Sequence, residues 1–177
     1  MRKGGYRWDP DNPDDLDDHS AAKHAILRAY VRRYIEVLTK KIVQRDLTLT
    51  IVDGYSGGNI YRRNGLLVPG SPGIFLETVR TVEDELARQR RHGFAIDAQF
   101  FFIEKMRRPR DLLQDTLRNG PFAGELANTT HVMSGSFTDH ADHIIASIRP
   151  GRGERGHCSY SINTDGVPCP RRSFGAS

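Results

Sequence analysis

Residues 47–58 read Leu-Thr-Leu-Thr-Ile-Val-Asp-Gly-Tyr-Ser-Gly-Gly. The β-branched and apolar stretch up to Val52 suits a central strand covered on both faces, and Asp53-Gly54 stops it. A second run, Ala98-Gln99-Phe100-Phe101-Phe102-Ile103, closes on Glu104 about one crossover later. Two such strands, laid parallel, deliver Asp53 and Glu104 to the same edge of a sheet. Doubly wound α/β folds bind their ligands outside that edge.

The segments around these strands favour helices. Ile26, Leu27, Tyr30, Val31, Tyr34, Leu38 and Ile42 recur at helical spacing between His19 and about Arg45, with Asp18 or Ser20 available as the N-cap. Ser71-Pro72 reads as an N-cap followed by proline in the first turn of a helix that carries Ile74, Phe75, Val79, Val82 and Leu86 to about Gly93. Further helices are expected from about Pro109 to Leu117 and through Phe137, Ile144, Ile145 and Ile148, with a weaker strand from Thr130 to Met133. Helices alternating with apolar strands predict an α/β fold: a Rossmann-like parallel sheet with helices on both faces. Residues 54–70, with Gly54, Gly57, Gly58, Gly65 and Gly70, read as a long loop over the first strand's carboxyl end.

With 177 residues the chain accommodates one domain. Residues 1–18, rich in Asp and Pro with the single Trp8, lack the apolar content to fold alone and read as an acidic flexible arm. The domain proper is expected over 19–150, with an irregular tail over 151–177. No apolar stretch approaches the ~20 residues of a membrane span, no apolar signal segment follows the first basic residues, and only two cysteines occur. These features lead us to expect a soluble cytoplasmic protein. Six Asp fall between positions 9 and 18, so the body is more basic than the net charge of +4 implies. Nucleic acid is therefore a possible partner, although the Arg88–Arg91 and Arg107–Arg110 clusters equally suit solvated helix faces.

The glycine turn after Asp53 lets backbone approach a ligand closely, and an acid ending the next strand accepts hydrogen bonds from ribose hydroxyls. Asp53, Gly54, Tyr55, Ser56, Gly57, Gly58 and Glu104 are the candidate cofactor-binding residues. The turn could also be no more than a tight turn, and Glu104 an exposed strand end. A Gly-x-Gly-x-x-Gly fingerprint, a phosphate loop, a Gly-x-Ser-x-Gly elbow and a His-Glu-x-x-His motif are all absent from the sequence. His19 and Lys23 share a helix face that covers a ligand or faces water. His131, His140 and His143 with Asp139 and Asp142 lack a second ligand pair at zinc spacing, and no metal site is expected. Cys158 and Cys169 are too far apart for a chelating pair.

These residues resemble the three-Cys-motif partner proteins of bacteria. The likeness rests on His19, Lys23 and Tyr30 in the opening helix, on Val52-Asp53-Gly54-Tyr55-Ser56-Gly57 with Tyr61, on Gly70-Ser71-Pro72, and on Phe102-Ile103-Glu104-Lys105, and it spans about positions 16–150. It implies a class I methyltransferase-like fold. It further implies S-adenosylmethionine as cofactor, with Asp53, Gly54 and Gly57 on its methionine side and Glu104 at its ribose, and a three-Cys-motif protein encoded nearby as partner. It names no general base. The alternatives are a non-catalytic protein-interaction module and a nucleic-acid-binding accessory.

Two departures stand out. Where relatives often read Gly-Pro-Gly, this chain reads Gly57-Gly58-Asn59. Where relatives continue into an apolar strand ending in Asp-Gln-Tyr-Gly, Pro150 here leads into Gly-Arg-rich sequence, so the domain is expected to be C-terminally truncated. Degenerate codons for residues 157–166, read with each third base joined to the next two, permit Leu-Phe-Leu-Phe-Asp-Gln-Tyr-Gly-Trp. The tail is accordingly expected to be out of frame and the product to be an inactive fragment, a reading that the coding DNA decides.

Overall fold

Asp17 starts the first helix. Its carboxylate accepts the Ser20 amide at 2.8 Å and so caps α1, Asp18–Leu38, one residue before Asp18 and three before Ser20, the caps the sequence suggests. The Ser20 amide holds this carboxyl below the usual carboxylate range. The computed structural model describes residues 6–41, 45–90, 93–121, 123 and 129–148. The proposed frame change and the tail after 150 lie outside the described residues.

The helix ends at Leu38, short of the expected Arg45, and leads to β1, Asp46–Asp53. The glycine-rich segment that follows is not wholly irregular. It contains an antiparallel hairpin, β2 (Ile60–Arg63) and β3 (Leu66–Pro69), turning at Asn64-Gly65 with φ of 51° and 78°. That pair of left-handed residues is what a two-residue hairpin turn requires. Next come α2 (Ser71–Gln89), β4 (Ala95–Glu104), α3 (Arg107–Asn119), β5 (Thr130–Ser134) and α4 (Phe137–Ser147).

The main sheet has the order β1-β4-β5 and both pairings are parallel. Alternation divides its side chains between two cores. Leu49 and Ile51 of β1 and Phe100 and Phe102 of β4 pack with Val31 and Ile35 of α1, Phe75 and Val79 of α2 and Leu113 of α3. On the opposite face Val52, Phe101 and Ile103 pack with Ile144 of α4. Helices therefore cover both faces, and the fold is the Rossmann-like α/β arrangement the alternation predicts. Among the described residues β1 has β4 as its only strand partner. No described helix is long and apolar enough to cross a membrane.

In the acidic arm, expected to be flexible, the described residues 6–17 lie docked against the fold. Leu16 donates its amide to the Arg62 carbonyl at 2.8 Å and Arg62 returns its amide to Asp14 O at 2.9 Å, which lays the arm beside β2. The Arg62 guanidinium also donates to Asn12 and to the Pro13 carbonyl. Composition underestimates this segment, because its cohesion comes from backbone pairing and a few aromatic contacts rather than from apolar content.

Candidate functional site

Asp53 and Glu104 end neighbouring parallel strands. Asp53 pairs with Phe102, two residues before Glu104, so both acids belong to the same face of the sheet, about 8 Å apart by strand spacing and rise. Each carboxylate also stands at the start of the next helix. Asp53, fully buried, accepts the Ser71 hydroxyl at 2.5 Å and the Tyr55 amide at 3.1 Å. Ser71, expected as the α2 N-cap, is instead the first helical residue after the cap Gly70, and its side chain ties α2 to the end of β1. Glu104 is buried to 9% exposure and accepts the Gly57 amide on one oxygen at 3.0 Å and the Met106 amide on the other at 2.8 Å. Met106 is the cap of α3, so Glu104 also offsets the positive end of a helix whose first turn carries no acid.

The glycine turn is thus held from below by the second acid. Ser56 donates its amide to the Ile103 carbonyl, and its hydroxyl to the Asp53 carbonyl, closing the turn onto the sheet edge. Gly57 sits at φ 61°, a conformation that costs other residues energy, while Gly58 does not. Asn59 follows at φ 65°, donates to Thr116 and accepts the Gly73 amide at 2.7 Å, satisfying one of the open donors of α2. The departure Gly57-Gly58-Asn59 therefore has a local reason: Asn tolerates the left-handed backbone and caps the helix. Tyr55 projects outward, 71% exposed.

What lies against the two glycines is the arm. A methyl placed on Gly57 would come 2.7 Å from Trp8 Cη2, and one on Gly58 2.4 Å from Trp8 Cε3 and 2.9 Å from Leu112 Cδ2. The indole lies flush on the turn. Tyr61 meets Trp8 edge-on at 5.4 Å and Tyr6 at 5.1 Å between ring centres, and burial pushes the Tyr61 phenol up. The sequence gives Trp8 and Tyr6 no sign of this contact, which joins positions about fifty residues apart. A cleft of about 310 Å³ opens nearby between α2 and α3, lined by Asn59, Gly73, Leu76, Thr116 and Leu117, without either carboxylate.

An adenosyl group fits this edge in part. Glu104 uses two of the roughly four lone-pair positions of a carboxylate, leaving acceptor capacity for a hydroxyl, while the Trp8 ring covers the glycine turn. Asp53 is less accessible and serves the turn and α2.

The other candidates disperse. His19 and Lys23 are exposed, whereas His24 is half-buried against Tyr61 at 5.8 Å. His140 bonds the Ser134 carbonyl, and among the described residues no three His, Cys, Asp or Glu gather as a metal site. Arg90 lies over Phe94 and donates to the Thr39 carbonyl, Arg107 pairs with Asp111, and Arg110 binds Ser134 and Asp111. Arg90 and Arg110 brace the fold, whereas the Arg107 pair lies exposed on α3. No protein-family model matches the chain, and no curated protein is significantly similar to it.

Proposed function

We propose that this chain is an S-adenosylmethionine-binding, methyltransferase-like domain of the three-Cys-motif partner kind, acting in the cytoplasm with a three-cysteine protein. The observation that carries the reading is Glu104: a nearly buried carboxylate at the C-terminal edge of a parallel strand, fixed against a glycine turn that follows the neighbouring strand. Glu104 would accept the ribose hydroxyls. Gly57 and Gly58 would let the ligand approach the backbone, and Asp53 would keep the turn and α2 in place. When bound, the cofactor supplies an electrophilic methyl group; the protein's share is to hold it in position and exclude water. No described residue is assigned as a general base.

A ligand near 100 times its dissociation constant stabilises a fold by about 2.7 kcal/mol. For a chain of this size that is a rise of roughly 5–10 °C in melting temperature. S-adenosylhomocysteine is expected to produce such a rise in the full chain, and Glu104→Ala to remove it. An unchanged melting temperature at millimolar ligand, in the full chain and in a Trp8→Ala variant, overturns the reading.

A second reading has its own observation. Both carboxylates are engaged by the protein's own groups and Trp8 covers the turn, which favours a non-catalytic module that docks a partner protein. That module would bind its partner with affinity indifferent to Glu104→Ala.

A further inference from the structure

We propose that the arm over residues 6–16 is a displaceable plug, with Trp8 as a self-ligand of the glycine turn and Asp14 as its latch. The proposal rests on the adenosyl-site reading above and adds a regulation to it.

Trp8 fills the surface that a ligand would need. Its indole contacts Gly57 and Gly58 so closely that neither position has room for a methyl group, and it is flanked by Tyr6 and Tyr61. The turn is the surface assigned above to the methionine side of the ligand, so the indole and that ligand cannot both lie on it. Occupation by one requires departure of the other.

The arm is held at both ends, its tip by the Tyr6 hydroxyl on Asp17 and by one acid that fixes the turn carrying Trp8. The Asp14 carboxylate, 9% exposed, accepts the amides of Arg7 at 2.5 Å and Trp8 at 3.0 Å and pairs with Arg7 Nε at 3.7 Å. One acid thus fixes the backbone on which the indole is mounted. Trp8 itself sits at φ 57°, a left-handed conformation unfavourable for a bulky side chain, so docking is achieved against local backbone preference. Release would relieve that conformation. Along the hairpin the base of the arm is joined to Arg62 by two backbone hydrogen bonds and by the guanidinium bonds to Asn12 and Pro13, so the tip moves from this anchored base once the Asp14 bonds and the Tyr6 bond to Asp17 break.

Trp8 is the only tryptophan, so its fluorescence reports the plug directly. Titrating the full chain with S-adenosylmethionine is expected to shift Trp8 emission to the red and raise its quenching by acrylamide, both saturating with binding. Asp14→Ala, which removes the oxygen that accepts both amides, is expected to show the red shift without ligand. Because apparent affinity scales with the open fraction, a plug closed about four-fifths of the time or more means that Trp8→Ala and Asp14→Ala should bind S-adenosylmethionine about fivefold or more tightly than the unaltered chain by calorimetry. If Trp8→Ala fails to fold by circular dichroism, Asp14→Ala and the unaltered chain decide the matter. Equal affinities with unmoved emission overturn the plug and leave the binding site standing. No binding by any of the three proteins overturns both.

Discussion

Replacing Gly58 by alanine tests the packing of the arm without disturbing the backbone. Gly58 does not occupy the left-handed region, and its substitution meets first the Trp8 ring at 2.4 Å and the Leu112 methyl at 2.9 Å. The Leu112 contact is with the far end of a flexible side chain; the indole is rigid and must retreat by about an ångström to reach ordinary contact distance. Overpacking of this kind costs ~1–3 kcal/mol, and the stiffer unfolded chain returns ~0.4–1 kcal/mol. A net loss of about 1–2 kcal/mol in urea unfolding, with red-shifted Trp8 emission, is expected from this balance. The decisive comparison is a double-mutant cycle: in a Trp8→Ala background Gly58→Ala should become neutral or stabilising, giving a coupling of roughly 1–2 kcal/mol. Equal cost in both backgrounds refutes the argument, since the clash would then lie elsewhere. Gly65→Ala is the control, because nothing lies within 4 Å of it but its φ is 78°; it should cost about 1 kcal/mol of backbone strain and leave the emission unchanged.

The remaining expectations concern the edge and its surroundings. Glu104→Gln keeps the shape but turns one acceptor into a donor facing the Gly57 or Met106 amide, so denaturant unfolding should show a loss of about 1–3 kcal/mol; a change below ~0.5 kcal/mol contradicts the bracing role. Asn59→Ala loses the Gly73 and Thr116 bonds and strains the backbone, at a cost of about 1–2 kcal/mol, whereas Asn59→Gly loses only those bonds and should cost less. Equal effects would show that the left-handed backbone at 59 carries no energy. His24 is held below its usual value of 6.5 by burial and then by Arg28, with Asp17 opposing. The unfolded chain therefore takes up that proton first, so the His24 contribution is intact above about pH 6.5 and is lost as the pH falls toward the folded-state value. His24→Gln should flatten the fall in melting temperature between about pH 7 and pH 5, and an unchanged slope argues against it.

The sheet and its acids were legible because their signals are local. Unbroken apolar runs ending in Asp53 and Glu104 can be little else than covered strands, and the helices between them repeat every three to four residues. The hairpin at 60–69 was missed although Asn64-Gly65 is a strong turn signal, because the surrounding glycines favoured a loop. Asp17 was hard to single out as a cap among its neighbours Asp14, Asp15 and Asp18. The docked arm was beyond reach, since the Trp8–Gly58 contact and the Arg62–Leu16 pairing link distant positions that composition does not couple. The same holds for Ser71, whose hydroxyl reads as a cap in sequence yet bonds Asp53 in the fold.

Equilibrium dialysis of labelled S-adenosylmethionine against the full chain and against Glu104→Ala tests the central claim most directly. The account predicts saturable binding of one molecule per chain, abolished by the substitution while the circular dichroism stays folded. Retention by neither the full chain nor Trp8→Ala, or undiminished retention by Glu104→Ala, would contradict it.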